Sequence, residues 1–202
     1  MKKLIKGLHQ FQTTVFPIKK DFFHALVSGQ KPEVLFITCS DSRINPHLIT
    51  MAEPGDLFIV RNAGNIIPPT GLGSSEEASI EFAVSELGIK DIIVCGHFHC
   101  GAVQAATMLD KLKQLPQFYN WIHKHIMPTV DLVKKNYHDL DPSELQTILI
   151  QENVLAQIEN LKLYPSIANK KLAIHAWVYK FETGEIFSYN AHEGQFGLIT
   201  GK

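Results

Sequence analysis

Five short apolar runs stand out along the chain: Val34–Thr38, Leu57–Val60, Ile92–Cys95, Leu172–Val178 and Glu185–Tyr189. The first three are apolar almost throughout, the pattern of strands covered on both faces. Between the runs the period changes to that of a helix. "SSEEASIEFAVSELG" opens with Ser74 and Glu77 at capping-box spacing, carries Ile80, Ala83, Val84 and Leu87 on one face, and stops at Gly88. After Gly101 the same logic returns with Ala102, Ala105, Ala106 and Leu109. Asp141-Pro142 starts a third helix, with Ile148, Leu155, Ile158 and Leu161 facing inward. "KFETGE" between the last two runs reads as a hairpin turn. This alternation predicts an α/β fold: a mainly parallel four-stranded sheet, helices on both faces, and an added antiparallel edge strand.

The first 28 residues follow another pattern. Leu4, Ile5, Leu8 and Phe11 predict one short amphipathic helix, Pro17 interrupts it, and Ile18, Phe22, Phe23 and Leu26 predict another. Two readings fit such an arm: it packs on its own sheet, or it lies across a neighbouring subunit. With no linker, repeat or low-complexity tract, residues 1–202 read as one domain, its helical arm expected to pack on a partner subunit.

Composition narrows the function classes. A net charge of −1, with charges scattered, argues against a nucleic-acid or anionic-membrane binder. The basic start "MKKLIKGLHQFQTTVF" lacks the apolar core of about 7–15 residues that a secretory signal needs. Three cysteines make no disulfide framework, so a reducing cytoplasm is expected and the thiols need another task.

That task is suggested at two strand ends. "FITCSDSR" (36–43) delivers Cys39, Asp41 and Arg43 after the first run, and "CGHFHCGA" (95–102) delivers His97 and Cys100 after the third. Ligands of an open parallel sheet bind beyond the carboxyl ends of its strands, where the winding reverses. Two thiolates, an imidazole and a carboxylate meeting there suit tetrahedral zinc. Cys95 reads as a small buried hydrophobe, and His99, turned away from His97 by local periodicity, as a supporting or surface residue. A phosphatase-type anion loop fits worse, since only three residues separate Cys39 from Arg43. A Cys–His hydrolase would leave Cys100 without a role.

The CxDxR motif, followed about 55 residues later by HxxC, resembles the β-class carbonic anhydrases. The resemblance runs through "PGDLFIVRNAGN" (54–65), "EEASIEFAV" (76–84) and "CGHFHCGA" to "AWVYKFETGEI" (176–186). It implies one zinc per chain on Cys39, His97 and Cys100, with Asp41 and Arg43 as the dyad beside the metal. It further implies reversible hydration of carbon dioxide to bicarbonate by a zinc-bound hydroxide. Held by Arg43, Asp41 would orient that hydroxide; released, it would ligate zinc and close the site. Members with an inhibitory bicarbonate site carry Trp where this chain has Phe36. Gln30 and Phe58 match the open, plant- and carboxysome-like members, in which such pocket residues come from the neighbouring subunit. Gly101 joins them on the substrate side. A homodimer, pairing further into a dimer of dimers, is therefore expected, with no nucleic-acid or membrane partner. Phe82 and Glu86 replace the family's Tyr and His at those spacings, leaving His47 and His99 as candidates for proton export. Two other functions are compatible with the chain: hydrolysis of COS or CS2 on the same fold, and a non-catalytic zinc-stabilised scaffold. The intact Asp41–Arg43 pair weighs against the scaffold.

Overall fold

The structure, a computed structural model, describes residues 1–200. They divide into two compact units, Met1–Lys31 and the residues from Pro32 onward.

The first unit is helical: α1 (Lys2–Gln10), a widened turn over Phe11–Val15, α2 (Phe16–Ile18) and α3 (Lys20–Leu26). The interruption expected at Pro17 falls instead at Lys19, where φ is −100° and ψ 20°. Pro17 stands in the first turn of α2, where its missing N–H costs nothing. The rings of Phe11 and Phe16 pack on Phe23 at 5.7 and 5.5 Å, while Leu4, Ile5 and Leu8 of α1 stay exposed.

The second unit is built on a six-stranded sheet: β1 (Val34–Cys39), β2 (Leu57–Asn62), β3 (Asp91–His97), β4 (Ala173–Tyr179), β5 (Ile186–Asn190) and β6 (Gln195–Leu198). The order is β2-β1-β3-β4-β5-β6. The first four strands pair in parallel, as the apolar runs predicted, and β5 and β6 add antiparallel. β6 is a strand the pattern did not announce. It is four residues long and mostly exposed, so no apolar alternation marks it.

Alternate residues divide the two sheet faces. Leu35, Ile37 and Cys39 of β1 with Ile92 and Val94 of β3 enter the larger core, together with buried residues of α5 (Ser75–Glu81), α6 (Gly101–Ala106), α7 (Pro116–His125), α8 (Met127–Asn136) and α9 (Pro142–Lys162). Phe36, Ile93 and Cys95 form a smaller cluster on the other face with Ile44 and with Ile49 of α4 (Pro46–Thr50). α9 comes close because β3 carries Gly96: a Cβ there would meet Val154 Cγ2 at 2.7 Å.

α5 starts as predicted, with Ser74 Oγ accepting the Glu77 N–H at 3.1 Å. Glu77 does not complete a capping box; its carboxylate instead accepts from Thr70 Oγ1 (2.7 Å), Gly71 N (2.8 Å) and Gly73 N (3.1 Å). The full box forms at α9, between Asp141 and Glu144. No helix among the described residues is long and apolar enough to cross a membrane.

Candidate metal centre

The winding of the sheet reverses between β1 and β3, because β2 and β4 lie on their outer sides. β1 ends at Cys39 and β3 at His97, so both motifs arrive at that reversal. Cys100 follows as the cap residue of α6, in extended backbone. The sulfurs of Cys39 and Cys100 are 3.9 Å apart, and with the His97 ring they place three donor atoms within 4.8 Å of one another, all buried.

The donors fit zinc. Two sulfurs each about 2.3 Å from a tetrahedral ion stand about 3.8 Å apart, close to the separation found. His97 Nδ1 lies 2.8 Å from Phe98 O, which fixes the proton on Nδ1. Its Nε2 is buried and has no hydrogen-bond partner. A buried ring nitrogen with a free lone pair is costly unless something binds it, and a metal at the thiols would. The thiols are already polarised. Donation from Cys100 draws Cys39 down, helped by the Gly64 N–H, while that same bond and burial push Cys100 itself well up. Cys95, buried on the other face, is pushed up to about 12 and stays a neutral thiol.

Asp41 lies beside the cluster, Oδ2 3.9 Å from His97 Nε2. Arg43 holds it by a fork, Nε to Oδ1 at 2.9 Å and a terminal nitrogen to Oδ2 at 2.7 Å, and the Arg43 backbone N–H adds a third bond at 2.9 Å. The guanidinium keeps the Asp41 carboxyl well below the usual range. Arg43 also donates to the carbonyl of His99 at 3.1 Å. His99 adopts a left-handed φ of 55°, and its exposed side chain pairs with Glu182.

Three supports were not foreseen. Arg61 donates to the carbonyls of Cys39 (2.9 Å), Asp41 (2.8 Å) and Ile44 (3.1 Å), fixing the turn that carries the dyad. Its place at the end of β2, in register with Thr38, was the available signal. Phe181 lies over Arg43, 4.8 Å from ring centroid to Cζ, and its ring is 5.2 Å from that of His97. A polar seam on α9 forms the third support. Asn153 donates to Gly64 O (3.0 Å), Gln157 accepts from Ile67 N (2.8 Å), Asn160 donates to Ile67 O (2.9 Å) and Tyr164 to Pro68 O (2.7 Å). The loop they hold aims the Gly64 N–H at Cys39 Sγ, 3.4 Å away.

Of the substrate-side residues, Gly101 opens α6 next to Cys100 and has open space where a side chain would stand. Phe58 is near the start of β2 against Phe82, four residues upstream of Asn62, the register partner of Cys39. That is about 13 Å along the strand. Gln30 is exposed and belongs to the first unit. His47 is on α4 and half-buried. A cavity of about 740 Å³ opens at the other end of the sheet, between Gly88–Asp91 and Lys170–Ala173, and holds no cluster of metal donors.

A family model described as carbonic anhydrase matches residues 34–186. The chain also superposes on the β-carbonic anhydrase CcaA with a TM-score of 0.95 at 42% identity, covering 100% of this chain and 93% of that one. The chain belongs to the β-carbonic anhydrases. The carbonic anhydrase of Synechococcus elongatus is 47% identical over 192 residues, 92% of this chain and 70% of the relative. That of Pseudomonas aeruginosa is 39% identical over 201 residues, 97% of this chain and 90% of the relative. Tetrameric β-carbonic anhydrases of Sordaria macrospora share the fold at a TM-score of 0.77 and 28% identity, covering 94% of this chain and 96% of that one. A carbonic anhydrase of this class is a zinc enzyme that interconverts carbon dioxide and bicarbonate, and the Cys39, His97 and Cys100 cluster fits that metal.

Proposed function

We propose that this carbonic anhydrase holds one zinc ion on Cys39, His97 and Cys100 and works in the open form, with Asp41 kept off the metal by Arg43. The observation that carries the reading is the His97 Nε2 lone pair, buried and unpartnered beside two sulfurs, with the Asp41 carboxylate already engaged in the Arg43 fork. Zinc, when bound, acidifies a coordinated water and so supplies a nucleophile near neutral pH; the carbonic anhydrases, at about 7 for the three-histidine kind, are the standard example of the effect. The chain's own residues do the rest. Asp41, acceptor-only when ionised, takes a hydrogen bond from the nucleophile and so aims a lone pair at the substrate carbon. Arg43 keeps Asp41 ionised and fixes its direction. The bare Gly101 leaves the approach to the site open.

Gln30 and Phe58 complete the pocket across a subunit boundary in this reading. The Gln30 amide hydrogen-bonds bicarbonate, and Phe58 forms an apolar wall for carbon dioxide. A homodimer, paired further into a tetramer, is then the working unit, and the tetramers among its structural neighbours support it. Three unpaired cysteines support a reducing compartment, the cytoplasm. The deciding experiment is zinc content measured alongside carbon dioxide hydration from about pH 6.5 to 9. One zinc per chain and activity rising with pH are expected. A flat profile, or activity without metal, rejects the reading.

A further inference from the structure

The turn between β4 and β5 places Phe181 against the dyad and Glu182 against its neighbour His99. Phe181 covers the Arg43 guanidinium at 4.8 Å, with the His97 ring at 5.2 Å and the Tyr179 ring edge-on at 5.1 Å. Glu182 pairs with the His99 side chain, and the His99 carbonyl in turn accepts from Arg43 at 3.1 Å. The turn is itself fixed, by Lys180 N–H to Glu185 O and Gly184 N–H to Lys180 O, each 2.9 Å. Arg43 needs such help, because its side chain is 53% exposed and a long exposed cation samples many rotamers.

We propose that Phe181 is a positioning residue of the dyad: its ring, in contact with both the Arg43 guanidinium and the His97 imidazole, keeps the fork closed on Asp41 and so holds the carboxylate away from the metal's fourth side. This rests on the open-form reading above. The attraction is of cation–π kind, reinforced by packing, and the quadrupole of the ring favours the guanidinium where it stands. Without the ring, Arg43 spends more time off Asp41, and the freed carboxylate competes with any ligand for the open coordination position. The apparent affinity of such a ligand then falls in proportion to the open fraction.

The test uses the full chain with cobalt(II) in place of zinc and follows azide binding by visible absorption, a readout independent of turnover. Phe181→Ala is expected to keep one cobalt per chain and weaken azide binding about 3- to 5-fold, while Phe181→Tyr, which keeps the ring, stays within about 2-fold of the parent. Arg43→Ala and Phe181→Ala are each measured with Asp41 present and with Asp41→Ala. The gate itself requires the Arg43→Ala effect to shrink when Asp41 is gone, and the role of Phe181 requires the same of Phe181→Ala. If only Arg43→Ala behaves so, Phe181 is not the positioning residue and the gate stands. If neither does, the open-form reading falls and takes this inference with it. Loss of cobalt in Phe181→Ala, or a Phe181→Tyr protein as weak as the alanine variant, also overturns the proposal.

Discussion

One residue separates Asp41 from Cys39, which brings a carboxylate within reach of the metal ligands and obliges the chain to control it. The fork from Arg43 does so, and each partner fails differently when the other is removed. Asp41→Ala should keep zinc but lose most activity, because the three ligands stay while the nucleophile loses its acceptor. Arg43→Ala should be inactive because the carboxylate itself takes the fourth position; wild-type turnover in that variant would exclude the gate. Cys100→Ala should bind zinc poorly and, because the ligands tie two strand ends together, should also unfold more easily. Full zinc content in that variant would overturn the ligand set. A second carboxylate bears on stability. Glu77 accepts from Thr70, Gly71 and Gly73, and those bonds hold its pKa below the ordinary 4.5. A depressed folded pKa gives stability that is complete above the unfolded value and is lost as pH falls through the folded one. Glu77→Gln should therefore lower Tm by a constant amount above about pH 5.5, and the difference from the parent should shrink as pH falls below the ordinary carboxylate range and vanish once the folded carboxyl is protonated. A Tm difference that persists at low pH would mean that Glu77 acts by packing, not charge.

At the scale of elements, the strands that carry the ligands were legible because burial on both faces leaves continuous apolar runs, and the motifs end those runs. The polar seam of α9 was not. Its face was read from Ile148, Leu155, Ile158 and Leu161, yet Asn153 and Gln157 are buried on the same helix, holding the loop that presents Gly64 to Cys39. Periodicity assigns polar side chains to solvent unless their buried backbone partners are known, and those partners are about 90 residues away in sequence. Phe181 and Arg61 were hidden for a related reason: a turn residue and a strand-end cation reveal their roles only when β4 and β2 are set beside the dyad. Gly96 shows how tightly α9 and β3 are matched. Its missing Cβ leaves room for Val154 Cγ2, which would stand 2.7 Å away, and Ile150 Cγ2, 3.4 Å away. Gly96→Ala should cost about 1–3 kcal/mol, read as a lower urea midpoint at unchanged slope. Val154→Ala introduced with it should recover part of that loss, since it removes the methyl in conflict. A double variant no more stable than Gly96→Ala alone would place the strain elsewhere, for instance in the His97 backbone next to it.

For the whole molecule, the helical unit of residues 1–31 poses the remaining question. α1 buries none of its residues and leaves Leu4, Ile5 and Leu8 exposed, at 69%, 60% and 57%. A helix with such a stripe is stable in water only when something covers it. A second copy of the chain is the cover expected here, because the same association would carry Gln30 and Phe58 to the partner's metal site. Deletion of residues 1–28 separates that role from the chemistry, since it leaves every zinc ligand and the dyad in place. The truncated protein should keep its metal, dissociate to monomers in sedimentation, and lose specific activity in parallel with dissociation. Mass action then demands that activity return as protein concentration is raised, following the dimer fraction. A truncated protein that is monomeric at all concentrations and fully active would show each chain to hold a complete site. Activity lost without dissociation would instead make the arm part of the catalytic pocket but not of the contact that holds the dimer.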